Sequence, residues 1–313
     1  MSTRRKFLRS TVYSGLALSL PFSWSSCTSM SQADLPKISL AQWSLNRAIK
    51  AGTIKAKDFA RVTRKEYGIG AVEYVSTFYK EQQTNAQFWA DMLSQSQGEG
   101  VENLLIMVDG EGDLGDTDEE KRNQAVANHS AWVDIAAKLG CHSIRVNAFG
   151  VGHYDTLAYT LSEGLGKLSE YGAKAGIHIL LENHGLHTSN ARYMVGIIER
   201  VNNPYLGTLP DFGNWCQSVE WGGTRDDSCE NVYDQAKGVM EFMPYAKGVS
   251  AKTYDFDEQG NQPRIDYAKL LGIVKEASYE GYIGIEYEGE NLSEPEGIRA
   301  TKTLIERTWQ ELA

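Results

Sequence analysis

From Ile38 onward, short apolar runs of strand-forming residues alternate with longer stretches whose apolar positions recur every three to four residues. The first pattern suits a strand buried in a parallel sheet and the second a helix with one face against a core, so their alternation predicts repeated βα units. Eight strands are predicted, Ile38–Ser44, Gly70–Ser76, Asn103–Val108, Ser143–Ala148, His178–Asn183, Gly207–Asp211, Gly248–Thr253 and Tyr282–Tyr287. Periodicity and capping residues predict eight helices, Lys57–Glu66, Asn85–Gly98, Thr117–Leu139, Thr156–Ala175, Ser189–Val201, Cys229–Phe242, Asp266–Ala277 and Glu294–Leu312. Gly140, Gly176 and Gly281 fall just past helix ends, where a left-handed cap is easiest for glycine. Eight units of this kind predict an α/β fold, a single-domain (β/α)8 barrel over residues 37–313.

Polar residues collect at the ends of these strands. Side chains alternate across a strand, which places Glu182 with His184 on one face, Ser250 with Lys252, and Glu286 with Glu288. The sixth strand runs into Asp211-Phe212-Gly213-Asn214, the first ends in Gln42-Trp43-Ser44, the second carries Glu73, the third meets Asp109 and Glu111, and the fourth puts Arg145 beside Asn147. The longest irregular segments, 110–116, 214–228 and 255–264, also follow strands, on the face where barrel enzymes build their sites. Charged groups are rarely buried without a partner, so an inward ring of carboxylates calls for a hard metal ion or for acid–base chemistry.

The N-terminal segment is read as an address rather than as structure. Thr3-Arg4-Arg5-Lys6-Phe7-Leu8-Arg9 is a twin-arginine pattern, followed by an apolar stretch through Leu20 to Trp24 that is short for a membrane span. Ser25-Ser26-Cys27 resembles a lipoprotein cleavage box, so residues 1–27 are expected to be a leader, 28–36 a linker, and Cys27 a site of lipidation. The expectation is export by the twin-arginine route to the periplasm with membrane anchoring through Cys27, the alternative being a plain signal peptide cut nearby. Residues 1–27 contain four of the 31 basic residues and no acid, which leaves 27 bases against 41 acids and a formal charge of −14 beyond the leader. That balance argues against nucleic acid as a partner. Cys141, Cys216 and Cys229 have no metal-ligand spacing and are read as structural, with Cys216–Cys229 the pair to examine for a bridge.

Ala41-Gln42-Trp43-Ser44-Leu45, Glu182-Asn183-His184, Asp211-Phe212-Gly213-Asn214 and Ile285-Glu286-Tyr287 together resemble the xylose-isomerase-like TIM barrels of sugar isomerases and epimerases, a superfamily (AP endonuclease family 2) with a type IV endonuclease branch. The likeness covers most of the chain beyond the leader. It implies one divalent metal ion, Mn, Mg or Co, held by Glu182, Asp211 and Glu286. Two positions depart from the family pattern: Ser250 stands where many relatives have a histidine two residues before Lys252, and Asn214 where ketose epimerases have a histidine three residues after the aspartate. The fourth ligand is therefore open between His184, a water held by Ser250, and Glu288, and a lost metal site is the alternative.

The chemistry such a site implies is proton transfer beside a carbonyl, with Glu182 and Glu286 as the acid–base pair on opposite faces of a sugar and Lys252 as a proton donor or oxyanion holder of lowered pKa. Trp43, Glu73, Arg145, Asn147, His184 and Asn214 form the expected substrate-binding set, and Phe149, Trp215 and Trp221 are further flat apolar faces for a sugar ring. Structural readings stand beside these: Lys252 in a salt bridge with Glu286 or Glu288, Arg145 paired with Glu73, and His184 as a supporting hydrogen-bond donor. His129 and His142 read as ordinary helix and turn residues, and His178 begins its strand at the opposite end of the barrel.

No arginine or lysine phosphate clamp is evident, so a small, non-phosphorylated carbohydrate is the expected partner. Oligomer formation is left open. The expected function is a metal-dependent sugar isomerase or epimerase. The alternatives are a 3-keto-glycoside lyase or hydratase using the same proton abstraction, and a catalytically silent sugar-binding lipoprotein. DNA repair is disfavoured, because the endonuclease branch uses three metals and many histidines whereas this chain has six histidines, few of them near strand ends.

Overall fold

The computed structural model describes residues 35–312; the twin-arginine motif and Cys27 lie outside the described residues. Eight parallel strands follow one another round the sheet: β1 (Lys37–Ala41), β2 (Ala71–Val75), β3 (Glu102–Val108), β4 (Ser143–Val146), β5 (His178–Glu182), β6 (Leu206–Leu209), β7 (Val249–Thr253) and β8 (Tyr282–Tyr287). Regular ladders join every neighbouring pair except β6 and β7, including β8 with β1. Isolated parallel bridges Thr208–Ala246 and Asp211–Ser250 close the remaining seam. The result is the single-domain TIM barrel that the alternation predicts.

Helices α1 (Asn46–Lys50), α2 (Phe59–Tyr67), α3 (Ala86–Gly98), α4 (Glu119–Leu139), α5 (Tyr154–Ala175), α6 (Ala191–Val201), α7 (Gln235–Phe242), α8 (Tyr267–Glu276) and α9 (Glu294–Glu311) surround the sheet. Their starts follow local chemistry. The side chains of Asn85, Asp118, Asn190, Asp234, Asp266 and Ser293 each accept a backbone N–H of the first turn, supplying partners to donors that the helix itself leaves free. Gly140 and Gly176 end α4 and α5 in the left-handed conformation, at φ 73° and 72°. The expectation for Gly281 is corrected: α8 stops at Glu276, and Ser278 takes the positive φ, 53°.

Two further boundaries move for identifiable reasons. β1 ends at Ala41, because the buried Gln42 amide donates to Tyr79 Oη at 2.7 Å and accepts Val75 N at 2.9 Å, turning the chain into a short 3-10 segment. The predicted helix from Cys229 begins only at Gln235, because a disulfide ties Cys229 back to Cys216. Cys141 is a buried free thiol.

The period-two pattern of the strands sorts side chains into two cores. Residues facing outward, such as Val72, Ile106, Ile144, Ile179 and Ile285, join the helices in the main apolar cluster. Those facing inward, Ala41, Val75, Leu105, Met107, Leu180 and Leu209, fill the barrel interior as a small plug. Above that plug the inward positions become polar.

Two helical glycines separate propensity from packing. Gly196 in α6 has open space around a notional Cβ, whereas a Cβ on Gly238 in α7 would overlap the buried Trp215 ring. Gly196→Ala should raise stability by roughly 0.5–1 kcal/mol through helix propensity. Gly238→Ala should lower it by about 1–3 kcal/mol through overpacking. Urea unfolding midpoints check both, and equal signs would contradict the packing described.

Candidate active site: three converging carboxylates

The C-terminal ends of the strands surround a cavity of about 490 Å³. Trp43, Met107 and Trp221 form apolar walls, and Arg145, Lys252 and Glu286 line its polar part. Glu182 at the end of β5, Asp211 just past β6 and Glu286 on β8 each bring a carboxylate oxygen within 4.8 Å of the other two. All three side chains are buried. The structure therefore brings together the three acids that the sequence singles out as metal ligands.

Strand register accounts for the neighbours of this cluster. Lys252 and Glu286 are directly paired across β7 and β8, and the ammonium lies 3.0 Å from Glu286 Oε2 and 3.0 Å from Glu288 Oε1. Ser250, one inward position earlier, donates to Asp211 Oδ2 and lies 3.2 Å from Glu286 Oε2. Asp211 Oδ1 accepts the backbone N–H groups of Gly213 and Asn214 at 2.7 and 2.8 Å. On the other side, Arg145 reaches Asp109 Oδ1 at 2.7 Å, and its Nε lies 2.8 Å from Glu182 Oε2. That Nε is not aligned for a hydrogen bond, so Glu182 Oε2 is a buried oxygen with no hydrogen-bond donor.

Among the described residues the charges of this cluster do not balance. Asp109, Glu182, Asp211, Glu286 and Glu288 have ion-pair partners in Arg145 and Lys252 alone. The acids respond accordingly: burial, followed by the charges of Glu286 and Asp211, raises the Glu182 pKa well above the ordinary carboxylate range against the pull of Arg145. Asp211 is pushed up to about 7, chiefly by burial and then by Glu286. Oxygen atoms spaced this way suit a hard divalent ion with ion–oxygen distances of roughly 2.0–2.6 Å, and the donor-free Glu182 oxygen is the kind of group such an ion satisfies. The residues present fit a divalent cation.

Two basic groups behave in opposite ways. Burial alone would lower the Lys252 pKa, but Glu286, Glu288 and Asp211 outweigh it and raise the value, which corrects the expectation of a lowered lysine pKa. His184 is driven down to about 3, first by burial and then by Arg145 and Lys252. The hydrogen-bond network assigns its neutral tautomer. Asn147 Nδ2 donates to Asp109, so its Oδ1 faces Arg145 at 3.1 Å and His184 Nδ1 at 2.7 Å, and Nδ1 must carry the proton. Nε2 is left as an acceptor.

The remaining expected contacts divide. Trp43, Arg145, His184, Lys252 and Glu286 line the cavity. Asn147 supports His184 and Arg145. Asn214 donates to Glu182 Oε1 at 3.4 Å and lies behind the acids, outside the cavity lining. Glu73 is buried deeper in the barrel, where it accepts from Ser39 Oγ at 2.6 Å; burial first, and then the charge of Glu286, lift it to about 7. It is not part of the cavity lining, and Arg145 pairs with Asp109 and Glu182 rather than with Glu73. Trp215, expected as an apolar face, is fully buried beneath α7 against Tyr233 and Phe242.

Trp221 is half exposed, sits edge-on to His184 at 4.9 Å and to Phe149 at 5.9 Å, and has a positive φ of 70°. Its loop is tied at the base by Cys216–Cys229 and packs backbone to backbone on the loop after β5, where a Cβ on Gly185 would overlap Gly222 and Trp221.

Sequence reasoning missed Lys50, Val75, Thr77 and Met107 as lining, and Asn183 as the clamp whose side chain accepts from Asp211 N and donates to the carbonyls of Asp211 and Asn214. An amide between the glutamate and the histidine of one strand end is a visible signal for the clamp. Nothing local marks the other four.

Residues 64–308 match the family described as xylose isomerase-like TIM barrel. A 78-residue stretch is 33% identical to the C-glycoside deglycosidase alpha subunit of Arthrobacter globiformis, covering 23% of this chain and 22% of that relative. Among solved structures, the apo form of a 3-keto-D-glucoside 4-epimerase from E. coli superposes with a TM-score of 0.64 at 15% identity, over 86% of this chain and 98% of that one. A xylose isomerase-like TIM barrel protein from Mycobacterium smegmatis in complex with magnesium gives 0.63 at 17% identity, over 91% and 100%.

The raised carboxyls make stability depend on pH. With Asp211 near 7 in the folded state against an ordinary value near 4, the folded chain binds the extra proton more tightly, so metal-stripped protein should lose stability as pH rises from about 4 to about 7. Asp211→Asn should flatten part of that slope in urea unfolding followed across this range. A wild-type slope of the opposite sign would contradict the electrostatics.

Proposed function

The chain belongs to the xylose isomerase-like TIM barrel family, and from that premise we propose that it is a divalent-metal-dependent isomerase or epimerase of a non-phosphorylated sugar, working by removal of the proton beside a carbonyl. The observation that carries this reading is the cluster of Glu182, Asp211 and Glu286, of which Glu286 lines a sugar-sized cavity while the other two are buried within 4.8 Å of it, with one Glu182 oxygen lacking a hydrogen-bond donor.

Glu182, Asp211 and Glu286 would hold the ion, which supplies Lewis acidity toward a sugar carbonyl when bound. The protein's own groups supply the rest. Glu286, steadied at Oε2 by Lys252 and Ser250, and Glu182, beside Arg145 and Asn214, would be the acid–base pair that takes and returns the proton. Lys252, an ammonium between two glutamates, offsets negative charge that develops next to it. His184 offers a bare Nε2 to a sugar hydroxyl, and Trp43 and Trp221 offer flat faces.

A second reading is supported by the local similarity to a C-glycoside deglycosidase subunit, a protein that removes a group from a glycoside: the same proton abstraction on a 3-keto-glycoside, followed by loss or addition of a group at the β carbon, makes a lyase or hydratase. The E. coli epimerase supports the same substrate class, a 3-keto-glucoside. Export and lipid anchoring rest on the sequence motifs alone.

Purified protein should contain about one equivalent of divalent metal, lost in Glu182→Gln and Asp211→Asn by elemental analysis. With a 3-keto-glucoside in heavy water, deuterium should enter the carbon beside the carbonyl, and Glu286→Gln should slow this by roughly 10²–10⁴-fold. Deuterium entry with the glycosidic bond intact marks the epimerase, release of the aglycone marks the lyase, and neither outcome leaves a sugar binder. Trp221→Ala should raise KM by roughly tenfold with kcat little changed, the size expected for one lost ring contact.

A further inference from the structure

A second cavity, of about 380 Å³, opens on the same rim. It is formed by the loops after β6, β7 and β8, and Glu288 belongs to the lining of both cavities. The Glu288 carboxylate is held by Lys252 at 3.0 Å, so a group common to both linings is anchored to the carboxylate cluster itself. The surrounding loops are braced rather than loose. Arg264 donates to Asp227 at 2.8 Å, Arg225 lies 3.5 Å from Glu290, and Asp255 accepts the backbone N–H groups of Glu290 and Asn291 at 2.8 Å each. Buried Gln262 holds Tyr254 N at 2.9 Å behind them.

The lining carries charges of both signs and hydrogen-bonding groups interleaved with apolar surface, Tyr254 and Pro263 among it. That chemistry suits a neutral, hydroxyl-rich unit better than an aromatic aglycone or a phosphate. The volume of each cavity falls in the range of roughly 300–1,000 Å³ usual for small-molecule sites. Resting on the proposed sugar chemistry, we infer that the substrate is a glycoside of a second sugar, with the reacting ring over the carboxylate cluster and its sugar partner across Glu288 in this second cavity.

The test compares methyl 3-keto-β-D-glucoside with 3-keto-cellobiose and 3-keto-maltose, following deuterium entry beside the carbonyl. At least one disaccharide should show kcat/KM higher by roughly tenfold or more, since binding of the remote unit is used at the reacting centre. Arg225→Ala and Arg264→Ala, whose side chains are 56% and 42% exposed and not needed for the core, should collapse that preference toward one. Equal kcat/KM for all three probes, or an unaltered preference in both variants, overturns the subsite.

If no probe exchanges deuterium, the proposed chemistry fails, and calorimetric binding of unreactive cellobiose and maltose against glucose decides the subsite separately. Tighter binding of a disaccharide that is lost in Arg225→Ala upholds it. Equal binding of disaccharide and glucose overturns it.

Discussion

Mutual repulsion among three buried carboxylates within 4.8 Å of one another is the constraint on which the rest of this barrel depends. Unlike charges spread over a surface, these cannot be screened by solvent, so the fold must hold them together and supply compensation from within. Arg145 and Lys252 provide part of it. The remainder appears as raised carboxyl pKa values, the response expected of buried acids short of positive charge.

Position is enforced by neutral donors rather than by further charges. Asn183 bridges the ends of β5 and β6, Ser250 links Asp211 to Glu286, and two backbone N–H groups grip Asp211 Oδ1. The Ser250 hydroxyl thereby connects the second and third acids. Asn214 likewise donates to Glu182 Oε1.

The basic groups are divided by their surroundings. Carboxylates around Lys252 outweigh its burial and favour the charged ammonium, whereas burial first, and then the charges of Arg145 and Lys252, favour neutral His184. Around it, a disulfide-tied loop brings Trp221 over the opening, and the loops after β6, β7 and β8 extend the rim into a second polar cavity. The division of labour follows the barrel rule: strands position chemistry and loops select what reaches it.

The sequence by itself determined what depends on short-range pattern. Strand and helix alternation implied eight βα units, and period-two spacing placed Glu182, His184, Ser250, Lys252, Glu286 and Glu288 on inward faces, because side-chain direction in a strand depends only on position parity. Helix ends such as Gly140 and Gly176 were legible for the same local reason. What needed the tertiary structure was everything set by neighbours distant in the chain: the pairing of Arg145 with Asp109 rather than Glu73, the sign of the Lys252 shift, the burial of Trp215 under α7, and the placing of Glu73 and Asn214 outside the cavity lining. Burial and charge are sums over three-dimensional surroundings, and no local pattern encodes those sums.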